Sequence, residues 1–185
     1  MVNMKELMPG VVVYKNSIKN IDKLLSLMKN VEYYQITGGR DVDICYIDNQ
    51  ASENLLDIKW ILQESLDPCL EDYCSKYKID GITPENWQLV RYGEGQQFVT
   101  HLDENYNMPR TVSLTMYLND DYTGGEIEYV WFNLKYKPEA GDIVMFPSNY
   151  IFSHKVNTVL SGIRYAVVRF YKWKTLTDFP KKEAD

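Results

Sequence analysis

The hydrophobic period of this 185-residue chain changes partway along, and the change limits the folds open to it. Through the first eighty residues apolar side chains recur at helical spacing. Ile18, Ile21, Leu24, Leu25 and Met28 share one face, and Leu55, Leu56, Ile58, Ile61 and Leu62 follow the same spacing. Ser17 is placed to cap the first helix, which runs to about Asn30. The second stretch, Ser52 to Tyr77, contains Pro68, which removes a backbone donor and crowds the preceding turn, so two helices are predicted there. From Asn86 onward the period becomes two. Strands are predicted over 87–92, 97–103, 111–119, 125–131, 142–146, 152–157 and 163–172, bounded by Gly, Pro, Asn or Asp. Helices first and many short strands later predict an α+β fold in a single domain over 1–185. Helical support (1–80) covers a sheet of a β part (86–174) built as a sandwich or a double-stranded β-helix (jelly roll). The tail 181–185 is expected to fray.

Composition excludes several classes. A net charge of −6 argues against an electrostatic nucleic-acid binder, which needs clustered Lys and Arg to neutralise phosphate. No apolar run approaches the ~20 residues of a membrane span, and Met1 to Glu6 lacks a secretory apolar segment. Cys45, Cys69 and Cys74 form no Cys-x-x-Cys pair and leave an odd thiol, which fits buried, reduced cysteines. The expectation is a soluble, cytoplasmic protein without nucleic-acid or membrane partners. Fifteen tyrosines offer amphipathic surface that could grip an extended ligand.

The chain has only two histidines, His101 and His154. On a strand, residues two apart share a face, so His101 and Asp103 can aim at one point. With His154 they would make the two-imidazole, one-carboxylate set that leaves half of an iron(II) coordination sphere open. A solvated His–Asp pair is the plain alternative, and zinc accepts the same donors. In 111–119 the side chains of Thr111, Ser113, Thr115, Tyr117 and Asn119 share one face, opposite Val112, Leu114, Met116 and Leu118. That polar wall reads as a pocket lining, because a sealed apolar interior does not tolerate polar groups without partners. On the last strand Arg164, Ala166, Val168 and Phe170 face one way, and Tyr165, Val167 and Arg169 the other. A guanidinium in that setting needs an anion, supplied either by a dicarboxylate ligand or by one of the chain's own acids.

Taken in order, these segments resemble the iron(II)- and 2-oxoglutarate-dependent dioxygenases, within them the prolyl 4-hydroxylase branch. The resemblance covers about 87–172. It rests on Arg91-Tyr92-Gly93-Glu94-Gly95-Gln96-Gln97-Phe98 leading to His101-Leu102-Asp103, on Tyr117-Leu118-Asn119, and on Gly124-Gly125-Glu126. Gly141-Asp142, Phe146-Pro147, the distal His154 and Gly162-Ile163-Arg164 complete it. It implies a jelly-roll core with N-terminal helices on the major sheet. It also implies iron(II) held by His101, Asp103 and His154, and 2-oxoglutarate held at its far carboxylate by Arg164 with help from the Tyr117 hydroxyl. Tyr92 would line the pocket. Collagen-type members usually carry lysine where Arg164 stands, and Arg164-Tyr165-Ala166 looks most like the oxygen-sensing prolyl hydroxylases. Zinc would leave Arg164 and the Tyr117 face without a role. The Gly124-Gly125 turn is read as structural, with glycine at positive φ.

The activity implied is C–H hydroxylation with O2 as oxidant, release of succinate and carbon dioxide, and ascorbate as a possible support. The partner implied is a peptide or protein containing proline, preformed as polyproline II and able to dock on aromatic surface. Trp87, Tyr106, Tyr129 and Trp131 are the candidate substrate contacts. Hydroxylation of a free amino acid or small metabolite, and a non-catalytic jelly roll that only binds metal or oxoacid, are the alternatives. A nucleic-acid demethylase is disfavoured, because Arg164 and Arg169 are five apart and face oppositely.

Overall fold

Val11-Val12-Val13-Tyr14 is buried at every position, and the architecture explains why. Val12 and Tyr14 enter one core, while Val11 and Val13 enter a second core on the other side of the same sheet. A strand covered on both faces reads as a continuous apolar run rather than an alternation. A computed structural model of the chain describes residues 2–47 and 52–174; the tail 181–185 lies outside them.

The large sheet contains β1 (Met4–Met8), β2 (Val11–Tyr14), β3 (Tyr34–Ile36), β4 (Val42–Ile47), β5 (Ile82–Pro84), β6 (Trp87–Tyr92), β8 (Arg110–Tyr117), β12 (Ile143–Pro147) and β15 (Arg164–Trp173). Its order is β1-β2-β12-β8-β15-β6-β4-β3, with β5 pairing β15. A smaller sheet runs β11 (Leu134–Tyr136), β10 (Ile127–Tyr129), β13 (His154–Val156), β7 (Phe98–His101). A ribbon of β14 (Val159–Ser161) and β9 (Thr123–Gly124) completes the β part. All pairings are antiparallel.

One core lies between the two sheets, where Val90, Tyr117 and Phe146 meet Ile127, Tyr129 and Val156. The other lies between the large sheet and two helices, α1 (Ile21–Lys29) and α2 (Glu53–Tyr77). The mixed helix and antiparallel-sheet fold expected of the sequence is therefore present, with three differences.

Four strands precede residue 80, where helical spacing dominates. β3 is short and β2 doubly buried, so period-two alternation does not mark them, whereas β4 does alternate, with Val42 and Ile44 buried and Asp43 and Cys45 half-buried. The α1 helix starts at Ile21 behind Asn20, whose φ is 49°, rather than behind Ser17. The Ser17 hydroxyl instead donates to Lys15 O at 3.2 Å. And α2 is unbroken through Pro68. Pro68 and Glu64, whose carbonyl would have received the missing N–H, both belong to exposed residues, where water can take that bond. The inner face, with Ile58, Leu62, Leu66, Cys69 and Tyr73 buried, keeps the helix continuous across the loss.

Candidate active site

The cavity between the sheets has a volume of about 250 Å³, and the register of three strands arranges its floor. Arg164 lies opposite Tyr92, Ala166 opposite Val90 and Tyr117, and Val168 opposite Gln88 and Thr115. Alternate residues of β6, β8 and β15 thus face inward together. The inward face predicted for Arg164, Val168 and Phe170 and the polar wall of Ser113, Thr115 and Tyr117 both line this cavity. Asn119 does not: its amide donates to Ile163 O at 2.7 Å and accepts from Tyr165 N at 2.7 Å, tying two strand ends together.

His101, Asp103 and His154 converge, with one ligating atom from each lying within 4.8 Å of the others. His101 and His154 are direct partners across β7 and β13. Asp103 reaches them by a different route from the one expected. The strand stops at His101, and the chain bends, so alternation does not aim the carboxylate. It is held instead by the Ser113 hydroxyl, which donates to Oδ2 at 2.7 Å and lies 2.8 Å from the Ser148 hydroxyl. The Asp103 carbonyl accepts from Arg110 Nη1 at 3.3 Å, and Arg110 is itself forked onto Glu85 at 2.9 and 2.7 Å.

The protonation pattern suits a cation. His101 Nδ1 sits 2.8 Å from Val99 O and His154 Nδ1 3.0 Å from Phe152 O. Only an N–H can face a carbonyl, so both Nδ1 atoms donate, and in the neutral ring that tautomer leaves the lone pair on Nε2. Those Nε2 atoms lie 3.6 and 3.7 Å from the two Asp103 oxygens. Burial pushes the His154 imidazole down to about 4, against the pull of Asp103. Burial works to raise the Asp103 carboxyl, but His154, His101 and Ser113 outweigh it and hold the group down to about 2. Two imidazole Nε2 atoms and a buried carboxylate converging on one point are the donor set a divalent metal takes.

The other end of the cavity is a receptor for an anion. Arg164 is 2% exposed, its guanidinium carbon lies 5.0 Å from the Tyr92 ring centre and 4.9 Å from that of Tyr117, and no carboxylate among the described residues pairs with it. Its Nε and the hydroxyls of Tyr117 and Tyr122 are buried without hydrogen-bond partners. Burial pushes the Tyr117 phenol up to about 12, against the lowering field of Arg164, so the hydroxyl stays protonated. A charged fork beside unpaired hydroxyls is a carboxylate receptor in want of its carboxylate. In the sequence Tyr122 carries no signal beyond its place just before Gly124-Gly125. The turn has the expected positive φ of 70° and 65°. A Cβ on Gly125 would come within 2.9 Å of Tyr122 and 3.0 Å of Arg164 Cδ.

The four predicted substrate contacts separate. Trp87 is 1% exposed and belongs to the helix-side core, with the Arg169 guanidinium carbon 4.1 Å from its ring centre; it faces away from the cavity because β6 alternates and Gln88, Val90 and Tyr92 take the inward positions. Tyr129 is fully buried behind His154, at 5.8 Å between rings, and makes wall rather than surface. Tyr106 (99% exposed) and Trp131 (71% exposed) stand at the rim. Each flanks a shallow depression that includes Leu102, and Leu102 also lines the cavity mouth. No helix among the described residues is long and apolar enough to cross a membrane.

Residues 87–172 match the model of the 2OG-Fe(II) oxygenase superfamily. A PKHD-type hydroxylase of Psychrobacter sp. (strain PRwf-1) is 44% identical over an alignment 99 positions long that covers 47% of this chain and 37% of that protein. The chain spans under two-fifths of the length of that relative. Among solved structures, a Pseudomonas putida prolyl-4-hydroxylase superposes with a TM-score of 0.72 at 18% identity, covering 90% of this chain and 94% of that one. A Trichoplax adhaerens prolyl hydroxylase, solved in complex with a hypoxia-inducible-factor peptide fragment, gives 0.70 at 20% identity, covering 88% and 83%. The two facing sheets are the fold of these enzymes.

Proposed function

We propose that the chain, whose residues 87–172 match the 2OG-Fe(II) oxygenase superfamily model, hydroxylates a prolyl residue in a peptide or protein. The observation that carries the reading is the single cavity with a three-donor metal cluster at one end and an unpaired, buried arginine at the other. The PKHD-type relative supports a hydroxylase, and the two prolyl hydroxylase structures support the choice of proline as target.

Iron(II), 2-oxoglutarate and O2 together supply the oxidising chemistry, with succinate and carbon dioxide as by-products. His101 and His154 would hold the iron through Nε2, each ring fixed by its Nδ1–H bond to a backbone carbonyl. Asp103 would hold it through a carboxylate oriented by Ser113. Arg164, with Tyr117, would grip the far carboxylate of 2-oxoglutarate, while the Tyr92 ring walls the same end. Val90, Ile127, Phe146, Val156 and Val168 line the space between and exclude water from it. The exposed rings of Trp131 and Tyr106 suit a polyproline II segment, which buries apolar rings without losing much chain entropy.

The test is succinate production with iron(II), 2-oxoglutarate, ascorbate and proline-containing peptides, read together with a +16 mass on proline. Turnover no greater than that of His101→Ala would sink the reading. An oxidised free amino acid with untouched peptides would move it to the small-metabolite alternative.

Gly125 offers a gentler probe. An alanine there is strained at φ 65° and pushes on Arg164 Cδ and Tyr122. Strain of about 1–3 kcal/mol at such a position should appear as roughly tenfold weaker 2-oxoglutarate binding with iron binding intact. Calorimetric titration of 2-oxoglutarate into the Mn(II)-loaded protein measures it.

A further inference from the structure

Besides Arg164, two arginines line the cavity, Arg40 and Arg110. Arg110 has a carboxylate partner, forking onto Glu85 at 2.9 and 2.7 Å. Arg40 has no carboxylate within ion-pair distance among the described residues. Its neighbour Asp41 is turned back to accept from Gly38 N at 3.2 Å. Yet Arg40 is not a loose surface side chain. It lines the cavity, its Nη2 donates to Gln88 Oε1 at 3.0 Å, and its Nε is buried without a partner.

The backbone beneath it is fixed as well. Arg40 bridges Phe98, Asp41 N donates to Gln97 O at 2.9 Å, and Val99 N donates to Gly39 O at 2.8 Å. The turn between β3 and β4 is thereby sewn to the start of β7, the strand that ends in His101. The side chains follow the same line. The Arg40 guanidinium carbon lies 5.2 Å from the Phe98 ring centre, and that ring stacks on the His101 imidazole at 3.5 Å with 11° between planes. A guanidinium column therefore ends on a proposed metal ligand.

A partly buried cation that is oriented, desolvated at Nε and left without an anion is set up to receive one from outside. 2-Oxoglutarate does not answer this need, because its receptor at Arg164 is at the far end. We propose that Arg40 reads a carboxylate on the substrate, close to the carbon that is oxidised. The stacked column sets the range. The guanidinium stands within about three residue lengths of His101, at ~3.5 Å per extended residue. In a peptide, an Asp or Glu within three positions of the oxidised proline meets it; in a free amino acid, the α-carboxylate does. Gln88 is the orienting partner and would present the fork. The proposal rests on the hydroxylase reading above, but it can fail separately.

The experiment uses the iron- and 2-oxoglutarate-loaded protein and a C-terminally amidated peptide library with one central proline and random residues at three positions on each side. Retention on immobilised protein without O2 and +16 on proline with O2 are read separately, with free proline and N-acetylproline as further arms. Wild type is expected to enrich Asp and Glu about tenfold or more among retained and oxidised peptides. Arg40→Gln should flatten that enrichment, Arg40→Glu should turn it toward Lys and Arg, and Arg40→Lys should keep part of it. Oxidation of free proline that is lost in Arg40→Gln and kept in part by Arg40→Lys would also support Arg40, with the α-carboxylate as the source.

Enrichment on retention without +16 would uphold Arg40 and overturn the prolyl reading. Oxidation with no acidic preference, or with a preference that survives in Arg40→Gln, would overturn Arg40 and leave the prolyl reading standing. Neither retention nor oxidation in any arm overturns both.

Discussion

Asp103→Ala is expected to lower turnover by roughly 1,000-fold or more, the scale on which groups that act as one unit fail together, and to do so by losing the metal. The carboxylate is the only anion in the cluster, and both Nε2 atoms converge on it. Alanine leaves two neutral imidazoles, which bind a hard iron(II) ion weakly without a charged oxygen donor. The fold should survive. In the metal-free protein Asp103 is a buried charge held by Ser113 and two imidazoles, so its removal takes away a desolvated group as well as its bonds. Because those partners outweigh the burial, the apo variant should unfold cooperatively at a somewhat lower temperature than wild type, while metal analysis after iron loading shows little bound. Ser113→Ala separates position from charge. It keeps the carboxylate but frees its orientation, and should cost about 10- to 100-fold in metal affinity, as loss of an outer-shell partner does. Full iron occupancy in Asp103→Ala would refute the ligand assignment.

What could be read in the sequence depends on how local its cause is. The strand faces at 111–119 and 163–172 were legible, because alternation is a property of a few adjacent residues, and they delivered Ser113, Tyr117 and Arg164 to one cavity. Val11–Tyr14 was not legible as a strand, since burial on both sides erases the period. The continuity of α2 through Pro68 depends on a sheet that packs under the helix and on solvent at Glu64, neither of which a proline announces. Asp103 was picked out for a reason the structure does not bear out. Strand alternation was to aim it, whereas a bend and a serine from a strand ten residues on do so. Trp87 and Tyr129 looked like exposed aromatic grip and are sealed inside, because the face a strand residue takes is set by neighbours far along the chain. Tyr122 and Arg40 needed the fold to become visible at all, since their partners, Arg164 and Phe98, are more than forty residues distant.

Arg164→Met should have a similarly large effect with a different signature: iron binding kept, 2-oxoglutarate binding lost. Truncating one member of a buried charge pair costs about 2–5 kcal/mol, which is roughly 30- to 5,000-fold in affinity. Among the described residues no second cation lines the cavity near Tyr117 and Tyr92, and Lys137, whose Nζ lies 3.4 Å from the Tyr122 ring centre, is engaged by the carbonyls of Tyr122 and Gly124. Methionine fills much of the same volume, which avoids a cavity in a residue that is 2% exposed. Without ligand the variant should be as stable as wild type or more so, because the unliganded protein carries the guanidinium buried and without a carboxylate. Added 2-oxoglutarate stabilises wild type by mass action, about 2.7 kcal/mol at one hundred times Kd, and should leave Arg164→Met unmoved. Thermal shift with and without 2-oxoglutarate reads both halves at once. Arg164→Lys keeps the charge but not the fork, and should fall between the two. Equal loss of iron and 2-oxoglutarate in Arg164→Met would mean that the residue supports the whole cavity, and the division of labour between its two ends would have to be abandoned.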